Sequence, residues 1–89
     1  MKWPYKYTVD DSVLQVFATS PKRQREALLR IFDFLAREPF TEGQSTQLDR
    51  TGRHCQVKRF GDWLIVYWPE HLASEIHILD AERLIRKGN

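Results

Sequence analysis

Apolar residues recur at helical spacing in the first half of the chain and alternate with polar residues in the second half. Before the helical part, residues 5–9 alternate and are rich in β-forming residues, which predicts a first strand. A short helix is expected over residues 13–18, with Asp11 or Ser12 as its capping residue. The chain is therefore predicted to open with a strand and a helix.

The sequence signals for a second helix are stronger than those for the first. Ser20 offers a capping oxygen, and Pro21 stands where a first helical residue has no amide partner to lose. An apolar stripe follows at helical spacing: Leu28, Ile31, Phe32 and Leu35. The helix is expected to end before Pro39, because a proline pushes the preceding residue out of the α region. The stripe is predicted to form core.

The rest of the chain predicts strands after a long connection. Residues 40–52 contain Gly, Ser and Thr with little periodicity, which predicts a loop anchored by Leu48. Three alternating segments follow: residues 54–60, 63–68 and 74–79. Strands joined this tightly run antiparallel. The carboxyl end is expected to form either a last helical turn capped by Asp80 or a basic tail.

These elements predict a single α+β domain over residues 1–89. The N-terminal strand and the C-terminal three-stranded meander would form a small antiparallel sheet, with the two helices packed on one of its faces. A chain of 89 residues has room for one core. The other face of the sheet would stay partly open, and a functional site is expected there.

The composition of the chain mainly excludes classes of protein. A content of 42% apolar and 12% aromatic residues excludes a disordered chain. No apolar run approaches the roughly 20 residues that cross a bilayer, and no apolar stretch of a secretory signal opens the chain, so a cytoplasmic protein without a membrane partner is expected. Cys55 is the only cysteine, and the 3 histidines show no ligand spacing. Neither a metal nor another cofactor is therefore expected.

The most specific motif lies in the second half of the chain. The basic strand Val57-Lys58-Arg59 precedes the segment 61–67, Gly-Asp-Trp-Leu-Ile-Val-Tyr. With this motif and its order of elements, nearly the whole chain resembles the RelE/ParE superfamily of toxins from bacterial type II toxin–antitoxin systems. The Asp62-Trp63 pair before an aliphatic strand is most similar to the YafQ branch. The resemblance implies a toxin that is neutralised by a bound antitoxin. It would act as a ribosome-dependent mRNA endonuclease or, in the ParE branch, as an inhibitor of DNA gyrase.

The resemblance also implies roles for individual residues. Lys58 matches a basic or histidine position on the second strand of the nucleases, and Asp62 matches an acidic site residue of the YafQ branch. Leu64 and Ala81 stand at or close to positions where many members carry arginine. The nuclease and gyrase branches therefore both stay open.

Metal-free RNA cleavage needs a base for the 2′-hydroxyl proton, an acid for the leaving oxygen and cations for the phosphorane charge. The candidate catalytic residues are Lys58, Asp62, His77 and His54. The candidate nucleic-acid contacts are Arg53, Arg59 and Arg83, with Arg50, Arg86 and Lys87 in the same basic rim. Three aromatic residues are available for base stacking: Trp63, Tyr67 and Trp68.

The hairpin at Gly61-Asp62 decides which candidates share a face. A two-residue turn places Lys58 opposite Ile65, whereas a three-residue loop that includes Phe60 places it opposite Leu64. We favour the longer loop, because it gathers the apolar residues of both strands on one face. Those residues are Val57, Trp63, Ile65 and Tyr67. On the same pattern three site candidates face outward together: His54, Lys58 and His77.

Three functions remain open: an mRNA endonuclease toxin acting on the ribosome, a gyrase inhibitor, and an inactive toxin-like module that only binds an antitoxin or another protein. A cognate antitoxin is the expected partner in all three. Exposed sheet edges and a mildly basic surface suit an added strand or an acidic amphipathic helix. A homo-oligomer and a toxin–antitoxin hetero-oligomer are both compatible with the sequence.

Overall fold

A computed structural model describes residues 4–84 of the chain. In chain order its elements are β1 (Lys6–Val9), α1 (Asp11–Thr19), α2 (Lys22–Arg37), β2 (Ser45–Leu48), β3 (His54–Phe60), β4 (Trp63–Glu70) and β5 (Glu75–Arg83). The predicted α+β class with two helices is confirmed. The predicted rim residues Arg86 and Lys87 lie outside the described residues.

The strands form one sheet in the order β1-β5-β4-β3-β2. The predicted antiparallel meander of β3, β4 and β5 is confirmed. β1 joins β5 in the parallel direction, so the sheet is mixed rather than purely antiparallel. The prediction of a loop over residues 40–52 is wrong at β2, an edge strand whose four residues are all exposed. The predicted anchor Leu48 is 60% exposed.

Both helices pack on one face of the sheet, which we call the helix side. One core cluster joins that face to α1 and α2: Val13, Leu28, Phe32, Leu35, Trp63, Ile65, Tyr67, Ile76, Ile78 and Ala81. Of the predicted stripe on α2, Ile31 alone is only partly buried. Within residues 4–84, no helix is long and apolar enough to cross a membrane.

The helix starts differ from the predictions by one or two residues. Asp10 caps α1 through its extended backbone and makes no side-chain cap bond, while Asp11 and Ser12 lie inside the helix. Ser20 caps the end of α1 instead, since its hydroxyl donates to the Val16 carbonyl at 2.6 Å. α2 starts after Pro21 without a side-chain cap and ends, as predicted, before the next proline.

The favoured three-residue loop at the β3–β4 hairpin is wrong. Phe60 pairs with Trp63 and Lys58 with Ile65, which leaves Gly61-Asp62 as a two-residue turn. Gly61 takes the positive φ of 59° that the first central position of a type II′ turn requires. Phe60, rather than Val57, completes the helix-side surface of this hairpin, because its ring packs 5.9 Å from that of Phe34.

β5 contains an irregularity that changes which residues face the core. Val66 pairs with Asp80 and Tyr67 with Ile78, so Leu79 is an extra residue between them. This bulge lets Ile78 and Ala81 both point into the same core although they are three positions apart. Of the two alternatives predicted for the carboxyl end, the helical turn capped by Asp80 is wrong because β5 continues through Arg83, and the basic tail over residues 85–89 lies outside the described residues.

Candidate functional site

A cleft of about 790 Å³ lies between the start of α2 and the tip of the β3–β4 hairpin. Its lining from α2 is Pro21, Arg23, Gln24, Ala27, Arg30, Ile31 and Phe34, and its lining from the sheet is Phe60, Gly61, Asp62, Trp63 and Arg83. The floor is aliphatic and aromatic, whereas the rim carries three guanidinium groups and one carboxylate. Two predicted site residues, Asp62 and Arg83, are thus brought together here.

Strand pairing fixes these two residues beside each other. Arg83 is the pairing partner of Trp63, the residue after Asp62. The backbone amide of Leu84 donates to the Asp62 carbonyl at 2.6 Å, which holds the end of β5 against the turn. Both side chains are exposed. The turn therefore presents a carboxylate and a guanidinium on one rim of the cleft.

Lys58 lies next to this cleft on the helix side of the sheet. It shares that face with Phe60, and its ammonium group is 5.7 Å from the centre of the Phe60 ring. Arg59 faces the other way, and its Nε–H donates to the Gly61 carbonyl at 2.8 Å. Lys58 therefore extends the cationic rim of the cleft, while Arg59 braces the turn from the opposite face.

His77 lies on the open face of the sheet, opposite to the helices. Its Nδ1 is 2.8 Å from the Thr8 hydroxyl, and its Nε2 is 3.6 Å from a Glu75 carboxylate oxygen. The ring also stacks on Trp68, with centroids 5.4 Å apart and an angle of 18°. The prediction that His77 and Lys58 share an outward face is wrong, because the two-residue turn puts Lys58 on the helix side.

Arg53 and Trp68 belong to the same arrangement on the open face. The Arg53 guanidinium lies 4.2 Å from the centre of the Trp68 ring and pairs with Asp49 at 2.7 Å. Since β3 and β5 flank β4, Arg53 and His77 approach the Trp68 ring from opposite sides. We call this row, from Asp49 through Arg53, Trp68 and His77 to Thr8, the open-face ladder.

Hydrogen bonds hold the Asp49 end of the ladder in its charged state. The Asp49 carboxylate accepts from the Thr51 hydroxyl and amide and from the Arg53 amide and Nε. The Thr51 hydroxyl first, and then the Arg53 amide, hold the pKa of this carboxyl well below its ordinary value. Arg53, predicted as a nucleic-acid contact, is thus engaged within the protein.

The remaining candidates are one exposed histidine and two buried aromatic residues. His54 is exposed at the start of β3, opposite Leu48, and within residues 4–84 its ring makes no hydrogen bond. Trp63 and Tyr67 are core residues, so they offer no ring face to a base. The Tyr67 hydroxyl donates to the Thr41 carbonyl at 2.8 Å, and burial raises the pKa of this phenol to about 12.

Sequence patterns did not indicate Arg23 and Arg30, the α2 side of the cleft. Their spacing with Ala27 and Phe34 places them on one helical stripe beside the core stripe. The stripe is visible in the sequence, but it lines a cleft only because the β3–β4 hairpin faces it. Within residues 4–84, no group of three or more His, Cys, Asp or Glu side chains is arranged to hold a metal ion.

No family model matches the chain, and no curated protein matches it significantly. Solved structures do match it. A chain of the RelBE2 toxin–antitoxin complex from Mycobacterium tuberculosis has a TM-score of 0.73 at 21% identity, covering 90% of this chain and 98% of that one. A chain of the archaeal RelE–RelB complex from Pyrococcus horikoshii has a TM-score of 0.68 at 20% identity, covering 94% and 99%. The chain therefore has the fold found in RelBE toxin–antitoxin complexes, as the sequence predicted, while the choice between the RelE and ParE branches stays a prediction.

Proposed function

We propose that the protein is the toxin of a bacterial type II toxin–antitoxin module and acts in the cytoplasm as a ribosome-dependent mRNA endonuclease. The observation that carries this proposal is the extent of the structural likeness. The similarity to chains of two RelBE complexes covers at least 90% of this chain and at least 98% of each relative. The likeness therefore extends over nearly the whole chain and supports a toxin of this fold.

The proposed RNA site is the rim of the cleft at the hairpin tip. Asp62 accepts the proton of the attacking 2′-hydroxyl, and Arg83 stabilises the charge that develops on the phosphorane. Lys58 also contacts the phosphorane and donates a proton to the leaving 5′-oxygen as its bond to phosphorus breaks, which leaves a 2′,3′-cyclic phosphate. These groups come from the turn, from β5 and from β3, which strand pairing brings together at one corner of the sheet. Arg23 and Arg30 of α2 extend the positive surface along which an RNA backbone would lie.

The two histidines contribute less directly under this proposal. His77 lies on the face opposite to Lys58, so it belongs to the ladder and not to the cleft. His54 shares the helix side with Lys58 but stands four residues away at the other end of β3. Cleavage is therefore proposed to depend first on Lys58, Asp62 and Arg83.

The proposed protein partner is an antitoxin whose acidic amphipathic helix lies in the cleft. Ala27, Ile31 and Phe34 give the floor an apolar stripe at helical spacing, which suits a helix bound in a groove. The three arginines of the rim match an acidic partner by charge. Such a helix would cover the same rim that the RNA needs, which accounts for neutralisation.

One observation favours gyrase inhibition as a second candidate. Lys58 and His77 are on opposite faces, so the histidine is not paired with the lysine as an acid–base couple. An inhibitor that acts by binding alone needs no such couple. The missing arginine at Leu64 is compatible with the same alternative.

Induced expression in bacteria without antitoxin tests the proposal. Growth, bulk protein synthesis and plasmid supercoiling are followed together for the wild type and for Lys58→Ala. Lys6→Ala, an exposed lysine on the opposite edge strand, is the matched control, and circular dichroism checks folding. The nuclease proposal expects arrested synthesis that Lys58→Ala relieves and Lys6→Ala does not. Unchanged synthesis with relaxed plasmid would replace it by gyrase inhibition, and no effect at all would leave only a binding module.

A further inference from the structure

An exposed apolar patch lies at the end of the molecule away from the cleft. Phe40 is 75% exposed and Leu72 is 99% exposed. The Phe40 ring stacks on His71, with centroids 4.8 Å apart, and Nδ1 of His71 is 2.9 Å from the Tyr5 hydroxyl. We call Phe40, His71 and Leu72 the distal patch. Its rings are held in place although solvent reaches them, which is typical of a surface that another molecule covers.

Carboxylates border the distal patch. Glu38 lines the same small hollow as Phe40, and the Glu70 carboxylate accepts a hydrogen bond from the Leu72 amide at 3.2 Å. Glu70 also pairs across the strands with Glu75, whose other cross-strand neighbour is Lys6 and which lies 3.6 Å from Nε2 of His77. The cleft has the reverse character, because its apolar floor is bordered by arginines. The two surfaces are therefore complementary, because both have an apolar centre and their borders carry opposite charges.

The cleft and the distal patch cannot meet within one chain. β4 starts at Trp63 in the cleft and ends at Glu70 beside the patch, a strand of 8 residues. At about 3.3 Å per residue its ends are roughly 23 Å apart. α2 runs the same way: it lines the cleft from Arg23 to Phe34 and then leads into the loop that carries Phe40. The complementary surfaces thus lie at opposite ends of the molecule.

We infer that the distal patch of one copy of this protein binds the cleft of a second copy. Phe40 and Leu72 enter the apolar floor, while Glu38 and Glu70 meet Arg23 and Arg30. The contact is head-to-tail and does not close on itself, so it builds short open chains rather than a symmetric dimer. A contact made through two apolar side chains and two ion pairs is expected to be weak and to depend on concentration. The inference does not require toxin activity.

Sedimentation velocity over a series of concentrations tests this inference. The weight-average mass of the wild type is expected to rise continuously past that of a dimer. The patch variant Phe40→Ser/Leu72→Ser and the cleft variant Arg23→Glu/Arg30→Glu are each expected to stay monomeric. Leu48→Ser, which removes an exposed leucine outside both surfaces, is expected to associate like the wild type.

Mixing the two defective variants gives the sharpest result. The patch variant still has its cleft and the cleft variant still has its patch, so an equimolar mixture is expected to form a dimer and nothing larger. All variants are checked for native circular dichroism. A wild type that stays monomeric at every concentration, a patch variant that still associates, or a mixture that stays monomeric would each overturn the inference.

Discussion

The cleft and the open-face ladder contain similar residue types, but they differ in whether the charged side chains have partners within the protein. In the ladder, Asp49 pairs with Arg53, Arg53 covers Trp68, and His77 contacts Thr8, so each polar group has a partner in the protein. In the cleft, the side chains of Asp62 and Arg83 make no ion pair or hydrogen bond within residues 4–84. Partnered charges stabilise a fold, whereas unpartnered charges over an apolar floor are available to another molecule. This difference is the reason why the proposed site uses Asp62 and Arg83 and not Arg53 and His77.

Removing the central ring of the ladder is expected to have the largest effect on stability. Trp68→Ala takes away the surface that both Arg53 and His77 contact. The free energy of unfolding is expected to fall by about 2 to 3 kcal/mol, since a half-buried tryptophan loses less than a fully buried one. Urea titration measures it, with the exposed Leu14→Ala as the control. An unchanged urea midpoint would mean that the ladder does not contribute to stability.

Gly43 tests how closely the loop after α2 packs against β3. The loop lies against β3, because the Gly43 amide donates to Oε1 of Gln56 at 2.6 Å. A Cβ at this position would stand 2.7 Å from backbone atoms of Val57. Gly43→Ala is therefore expected to cost about 1 to 3 kcal/mol by overpacking. Thermal unfolding measures this cost, and Ser45→Ala at the exposed edge strand is expected to change little.

Asp49 makes the stabilising contribution of the ladder depend on pH. Its pKa is lowered in the folded state, so its contribution is complete above the ordinary value of 3.8 and is lost as the pH falls further. Wild type is expected to exceed Asp49→Asn in stability by a constant amount from neutral pH down to about 5. The gap then closes in more acidic solution. Denaturant titrations at a series of pH values check this, and a gap that widens below pH 3.8 would contradict it.

Arg30 is expected to show the smallest effect on stability. Because the side chain is exposed and has no partner within residues 4–84, Arg30→Ala is expected to change the free energy of unfolding by less than about 0.5 kcal/mol. Antitoxin binding measured by calorimetry is expected to weaken about tenfold, which corresponds to about 1.4 kcal/mol. Arg50→Ala, in the turn before β3, is the matched control. Equal losses of antitoxin affinity in the two variants would show that binding depends only on the net charge of the protein.

The sequence predicted local elements well where one physical signal dominated. The bounds of β3 and the end of α2 before Pro39 follow from alternation and from the proline rule. β2 could not be predicted, since an edge strand with four exposed residues has no apolar period to detect. The bulge at Leu79 was hidden for a related reason, because one extra residue breaks the alternation that reveals a strand.

The candidate site was predicted only in part, because it depends on register. Shifting the β3–β4 hairpin by one residue moves Lys58 from the helix side to the open face and joins it to His77. The choice between the two registers was decided by whether Val57 or Phe60 faces α2, and that contact involves residues far apart in the sequence. Asp62 and Arg83 were each named from local evidence, but only the sheet pairing brings them to one rim.

Mapping the ends of mRNA after induction is the most direct test of the central claim that the cleft rim is a nuclease site. We predict new ends inside ribosome-occupied coding regions with the wild type, their loss with Arg83→Ala, and their persistence with Arg53→Ala if that variant folds. Intact mRNA in the wild type, or cleavage that requires Arg53 and not Arg83, would contradict the account.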